Sequence, residues 1–267
     1  MDVALILGIL LAFGSLYAMI TLEGAHVESL LIPAPMALVF GATIAVGIAS
    51  GTVKDAVRAF SSIPRAFKGV GGPSDAELVE KVVGFAEVAR RQGVLALEEF
   101  VADEKDEFLK TALQDIADGN DAEEIRVVME DKIDATESGH RTSAKFFMGM
   151  GGYAPTIGII GTVVSLTHVL EKLDKPDTLG PMIATAFVAT LWGLLSANFI
   201  WLPIGTRLTR LAEIETARMT LQMEGMLSVQ SGNPPHVVRD RLTALLPAGT
   251  KKAKDKGKKD ESGAGAS

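Results

Sequence analysis

Four stretches of this chain carry no Asp, Glu, Lys or Arg over a length sufficient to cross a bilayer. They are VALILGILLAFGSLYAMITL (3–22), LLIPAPMALVFGATIAVGIASGTV (30–53), FFMGMGGYAPTIGIIGTVVSLTHVL (146–170) and PMIATAFVATLWGLLSANFIWLPIGT (181–206). A helix crosses the hydrocarbon layer with about 20 apolar residues, and bonds its own backbone while doing so. The four runs therefore predict an all-α membrane protein with four transmembrane helices. A soluble chain of this length could bury one core from its 48% hydrophobic residues, but here those residues are clumped. The first run has only Asp2 before it and no clear small-x-small cleavage site after it, so it reads as a retained span and not as a signal peptide.

Lys and Arg set the expected orientation. The loop 23–29 has none and the loop 171–180 has two, whereas 54–145 has thirteen and the chain after residue 206 has eleven. Both short loops are expected outside, and both termini and the insert inside, the inner (cytoplasmic) membrane. The expected organisation is spans one and two over 1–53, a cytoplasmic helical domain between spans two and three over 54–145, and spans three and four over 146–206. A cytoplasmic helical tail over 207–247 and a disordered Lys-rich end over 248–267 follow.

Helix signals fill the insert. Ser74-Asp75-Ala76-Glu77 is a capping box ahead of Val79, Val82, Val83 and Ala86 at helical spacing. Gly93 breaks the pattern, and VLALEEFV (94–101) and KDEFLKTALQDIA (105–117) follow up to Gly119. The segment 121–147 is expected to run as a helix directly into span three, with further helices over 206–227 and 234–247.

No catalytic constellation is present. The four histidines lack metal-ligand spacing, and there is neither a phosphate-binding glycine loop nor a nucleophile elbow. With no cysteine, disulfides and thiolate sites are excluded. The reading is of a non-enzyme with no metal and no cofactor. The spans are informative for a different reason. A protein that moves ions through lipid normally keeps an ionisable group there, at some expense, and none of the four runs holds an acid or a strong base. Either the chain moves no ions or a partner supplies the carboxylate.

Span three instead carries YAPTIGIIGTVVSL (153–166). Ala154, Gly158, Gly161 and Ser165 recur at i, i+4, i+7 and i+11, and Ala186, Ala189, Gly193 and Ala197 make a similar stripe in span four. Such small-residue stripes let helices approach closely where lipid removes the hydrophobic driving force. Two readings stand: packing within one bundle, or a surface ready for a foreign helix bearing an acid. Pro155 frees a carbonyl one turn back, and Thr162 and Thr190 offer hydroxyl oxygens.

These residues resemble those of MotA-type flagellar stator subunits. The resemblance is carried by YAPTIGIIGTVVSL and GPMIATAFVATLWGLLSANFIWLP (180–203), by VFGATIAV (39–46) in span two and by ARRQGVLALEEF (89–100) in the insert, in the same order and spacing. It covers the chain from the first span to about residue 230. It implies that Pro155 lies near an ion-carrying aspartate of the partner and that Pro203 couples ion flow to motion. It places Thr162 and Thr190 near the ion path. It implies that Arg90 and Glu98, with neighbours Arg91 and Glu99, meet the rotor protein FliG. The implied partners are a MotB-type subunit that supplies the transmembrane aspartate, a homopentamer of this chain around a MotB dimer, FliG and the lipid bilayer, with no nucleic acid. The transported ion is H+ or Na+. Ala189 stands where sodium-driven relatives often have a second threonine, which leans towards protons. An ExbB- or TolQ-type energiser is the rival, but that class typically has three spans with its large insert after the first.

Overall fold

The structure is a computed structural model that describes residues 3–246. The expected Lys-rich disordered stretch 248–267 lies outside the described residues. Among the described residues the chain is helical and has no strand. It divides into two compact units, the described parts of Met1–Gly71 with Ser138–Glu213, and of Gly72–Glu137 with Ile214–Ser267.

The first unit opens with α1 (Ala4–Leu22), a single 3-10 turn (Val27–Leu30) and α2 (Pro33–Ala49). Pro33 starts α2, where the missing N–H has no intrahelical acceptor to lose. The apolar run 30–53 then ends inside a second helix, α3 (Val53–Lys68). A reciprocal capping box fixes that start: the Thr52 hydroxyl accepts from the Asp55 N–H while the Asp55 carboxylate accepts from the Thr52 N–H. The Thr52 hydroxyl's bond to the Asp55 carboxylate, and then the Thr52 N–H bond to it, hold the Asp55 carboxyl below its usual range. Ala56, Ala59 and Ala66 are buried, and Phe60, Ile63 and Phe67 pack beside them into the core of this unit.

The second unit begins with α4 (Asp75–Gln92), capped reciprocally by Ser74 and Glu77 as the sequence predicts. Gly93 ends it at φ 87°, a conformation that glycine adopts without steric penalty. A 3-10 turn (Val94–Leu97), α5 (Glu98–Val101) and α6 (Glu107–Ala117) follow. Two long elements complete the chain. One is α7, unbroken from Ala122 to Leu170; the other is α8 (Pro176–Leu195), a π turn (Ser196–Trp201) and α9 (Leu202–Gln230) in series. α10 (Pro235–Leu245) closes the described chain.

Each unit has its own core. In the second, Leu78, Val82, Leu97, Leu109, Leu113, Ile116, Met129, Met226 and Leu242 are fully buried together. Ion pairs surround this core: Lys81 reaches the almost fully buried Glu104 at 2.5 Å, and Glu224 accepts from both Arg126 and Arg241. In the first, Phe147, Met150, Ala154, Trp201, Ile204 and Leu208 form the centre, with Phe60 ring contacts to Phe146 at 5.6 Å and Phe147 at 5.8 Å.

Among the described residues, three elements are long and apolar enough to cross a membrane: α1, α7 and the α8–π–α9 rod. α2 is apolar but has 17 residues, about 26 Å at ~1.5 Å per residue against a ~30 Å hydrocarbon layer. The second expected span is thus shorter than its sequence run of 30–53, whose first residue lies in the 3-10 turn and whose last begins α3. The unit boundaries also differ from the hydropathy boundaries. Packing assigns α3 and the part of α7 from Ser138 to the apolar unit, since α3 buries its apolar face there.

Candidate functional site

α7 and the α8–π–α9 rod meet backbone to backbone. A Cβ on Gly158 would stand 2.9 Å from the Ala189 carbonyl oxygen and 3.1 Å from the Gly193 Cα. One on Gly193 would stand 2.8 Å from the Ala154 carbonyl oxygen. One on Gly161 would meet the Ala189 methyl at 2.9 Å and Leu38 of α2 at 3.0 Å. Towards the other end Gly151 is pressed on Leu202, and Gly205 on Met148 and the Ala144 carbonyl. Ala154, Ala186, Ala189 and Ala197 are buried along the same line, and the half-buried Ser165 ends it. The two small-residue stripes face each other within this chain. Close approach brings many weak dispersion contacts into range, which is the attraction left to helices in lipid.

Beside this contact lies a side-chain polar link between α7 and α8. The Thr162 hydroxyl is 3.1 Å from the Gly158 carbonyl, 3.0 Å from the Ala186 carbonyl and within hydrogen-bond reach of the Thr190 hydroxyl. Each hydroxyl has one proton and two lone pairs. If Thr162 donates to either carbonyl, Thr190 must donate to Thr162, so rotating one hydroxyl re-addresses the other. Both threonines are half-exposed. On α7, Pro155, Ile159, Thr162 and Leu166 share a face, and on α8 Ile183, Phe187, Thr190 and Leu194 do. The large apolar residues of both faces are exposed. The hydroxyl pair therefore sits at the open edge of the α7–α8 seam. Pro155 is half-buried on that same face, and α7 passes through it without a break. Its ring leaves the Gly151 carbonyl without the usual α-helical donor.

Pro203 lies elsewhere. It lines a cleft of about 440 Å³ against α1, with Gly8 and Ala12 on one wall and Asn198, Phe199 and Arg207 on the other. The π turn that precedes it was not read from the sequence. The Leu202 N–H donates five residues back to the Ala197 carbonyl, and Pro203 has no N–H to continue either ladder. A proline inside an apolar run was the available signal, since a local 3-10 or π adjustment is one way to satisfy the freed backbone groups, although α7 passes Pro155 without one. The structure thus groups Pro155, Thr162 and Thr190 on one edge and separates Pro203 from them.

The four charged residues of the insert stand apart from this seam. Arg90 and Arg91 end α4, and Glu98 and Glu99 begin α5, each pair placed where the helix dipole favours its sign. Gly93 turns the chain between them and Leu97, fully buried, anchors the turn. All four side chains are exposed, and none forms an ion pair among the described residues. No group of three or more His, Cys, Asp or Glu is placed to hold a metal ion among the described residues.

The model of the MotA/TolQ/ExbB proton channel family matches residues 101–221. Motility protein A of Bacillus subtilis is 35% identical over 248 residues, covering 93% of this chain and 92% of that one. The fold is similar to that in the structure of C. jejuni MotAB, with a TM-score of 0.89 at 28% identity over 93% of this chain and 97% of that one. It is similar also to a chain of the flagellar MotAB stator complex from Bacillus subtilis, with a TM-score of 0.86 at 34% identity over 93% and 99% of the two chains.

Proposed function

The chain belongs to the MotA branch of the MotA/TolQ/ExbB proton channel family, and on that premise we infer that it is the ion-conducting stator subunit of a bacterial flagellar motor. It works in the inner membrane. α2 serves as the second of the four spans, and the Lys/Arg distribution supports a cytoplasmic place for both termini and the insert. It performs no covalent chemistry and holds no cofactor; the ion it passes is H+ or Na+, and Ala189 beside Thr190 favours the proton.

The observation that carries this reading is the hydroxyl pair at the open edge of a seam that has no acid of its own. The partner's helix, from a MotB-type subunit, lies along the exposed faces of Pro155–Leu166 and Ile183–Leu194 and brings an aspartate to Thr162 and Thr190. Several copies of this chain surround it as a pentamer. An ion falling through the membrane field releases about 2.3 kcal/mol per charge per 100 mV. Neutralising the aspartate changes which of the hydroxyl and carbonyl oxygens finds a donor, and so which packing of partner against seam is favoured. Arg90, Arg91, Glu98 and Glu99 are free to pair with charges on the rotor protein FliG. Exposed pairs contribute only ~0–1 kcal/mol each, which suits contacts that form and release at every step.

The test is a clean deletion in the host. Filaments that are built but do not turn are expected, with rotation restored by the wild-type gene and not by Pro155→Leu. Rotation that persists in a strain with no other stator genes sinks the reading. Defects confined to the envelope or to nutrient uptake point instead to an ExbB/TolQ-type energiser.

A further inference from the structure

The insert holds a buried acid outside both the seam and the rotor-facing charges. Glu104 lies in the strap 102–106 that leads from α5 to α6, and its side chain is 3% exposed. Its carboxylate accepts from Lys81 of α4 at 2.5 Å and from the Asp106 N–H at 3.0 Å. Asp106 is bound twice over. Its Oδ1 caps α6 by accepting from the Phe108 and Leu109 N–H groups at 3.1 and 3.3 Å. Its Oδ2 accepts from the Gln222 side-chain amide at 2.6 Å. An ionised carboxylate only accepts, so the amide must turn its nitrogen to Asp106. Gln222 is 1% exposed and sits on α9, the helix that leaves the π turn at Leu202. The strap is thus gripped by α4 through Glu104 and by α9 through Asp106.

Closing the core does not require such a network. A buried ion pair is often no more stabilising than apolar side chains of like size. What a fully satisfied polar network adds is a fixed geometry. The element beside it has none of its own. α5 is four residues long, a single turn that does not hold itself in water. On its apolar side Leu97 is buried, and Phe100 meets Phe85 of α4 edge to face at 5.3 Å. Apolar burial is non-directional, so these contacts resist separation more than sliding. The strap supplies the directional bonds. Glu98 and Glu99 begin this same turn, with Arg90 and Arg91 across Gly93.

We propose that Gln222 is a positioning residue of the rotor contact: through Asp106, and together with the Lys81–Glu104 pair, it holds the strap 102–106 and so fixes where α5 presents Glu98 and Glu99. This rests on the reading that those charges meet the rotor. The bond ties the rotor-facing turn to α9, the continuation of the rod that bears Thr190.

Two single variants test it. Gln222→Met keeps the length and loses the donor; Gln222→Glu turns a second carboxylate on Asp106. Gln222→Glu with Asp106→Asn re-forms the bond with its polarity reversed, and asparagine still caps α6. Each is expressed in the deletion strain and read from a bead on one filament under high load, where every stator unit that joins adds a step in speed. Step height reports the torque of one unit and does not depend on how many units accumulate. Gln222→Met is expected to shorten the step, Gln222→Glu to shorten it further, and the exchanged pair to return it towards wild type. In hydrogen exchange of the full chain purified with its partner subunit, the amides of 98–106 are expected to lose protection in Gln222→Met while those of α4 keep it. Steps of wild-type height in Gln222→Met overturn the proposal, whether units are many or few, since the bond then only folds the chain. Unchanged exchange over 98–106 overturns it too. If Gln222→Met does not accumulate, Gln222→Asn, one methylene short, takes its place under the same two outcomes. No steps from the wild-type gene itself overturn the stator reading, and the proposal falls with it.

Discussion

The α7–α8 seam and the core beneath α4 hold helices together by opposite means. In the seam, Gly158 and Gly193 remove side-chain volume so that backbones touch, and one hydroxyl pair supplies the directional bond. In the second unit, Leu78, Leu97, Leu109, Leu113 and Leu242 fill space, and ion pairs such as Lys81–Glu104 surround them. Water drives the second arrangement, since each buried Leu leaves it. Lipid does not drive the first, because a leucine in lipid is already in an apolar solvent. The contrast teaches that the sensitive change in one region is to add atoms and in the other to remove them.

Leu113→Ala is the largest expected effect. Leu113 is fully buried, and truncation should cost about 2–5 kcal/mol, read as a lowered thermal unfolding midpoint of the purified chain. A neutral result would mean that the second core is loosely packed and the contrast is false. Next is Gly193→Ala, where a methyl meets a carbonyl oxygen at 2.8 Å; overpacking should cost about 1–3 kcal/mol and abolish swimming on soft agar. Gly152→Ala on the same helix, with nothing near its Cβ position, is the control and should swim normally. Thr162→Val should cost about 1 kcal/mol by orphaning its partners. Adding Thr190→Val should cost less than the sum of the two single changes, a non-additivity that a double-mutant cycle measures directly.

A pH dependence sharpens the comparison further. Burial, and then the neighbouring Arg65 charge, hold His140 below its ordinary pKa. The unfolded chain therefore binds the extra proton first, so stability is full above the ordinary histidine value of ~6.5 and declines as pH falls through it. Unfolding midpoints measured across that range should slope for the wild type and flatten for His140→Gln. The smallest effect belongs to Gly84→Ala on α4. No atom lies within 4 Å of its Cβ position, so helix propensity alone should add up to ~1 kcal/mol. The same substitution that harms the seam thus helps the insert.

The sequence exposes these two regions unequally. The Ser74–Glu77 cap, the Gly93 stop and the helical approach to span three were legible because each is local chemistry. α3 was not, because its first residue completes an apolar run and Pro64 interrupts its pattern, while its apolar face is evident only against Phe146 and Phe147. The stripes were legible as stripes, but spacing alone left open whether they faced each other or a foreign helix. It took the Gly158–Gly193 approach to show the first. Pro203 was singled out by the resemblance alone, and nothing in the spacing showed that it follows a π turn and lines a cleft against α1.

One feature of α7 bears on speed as well as on force. The helix has no glycine-proline joint, π turn or other break between Ala122 and Pro155, a length of about 50 Å at ~1.5 Å per residue. Short of Pro155 itself no i→i−4 bond is missing along that length, so the helix has no internal joint at which a displacement near Pro155 would be absorbed, and no turn has to unwind and reform for strain to pass along it.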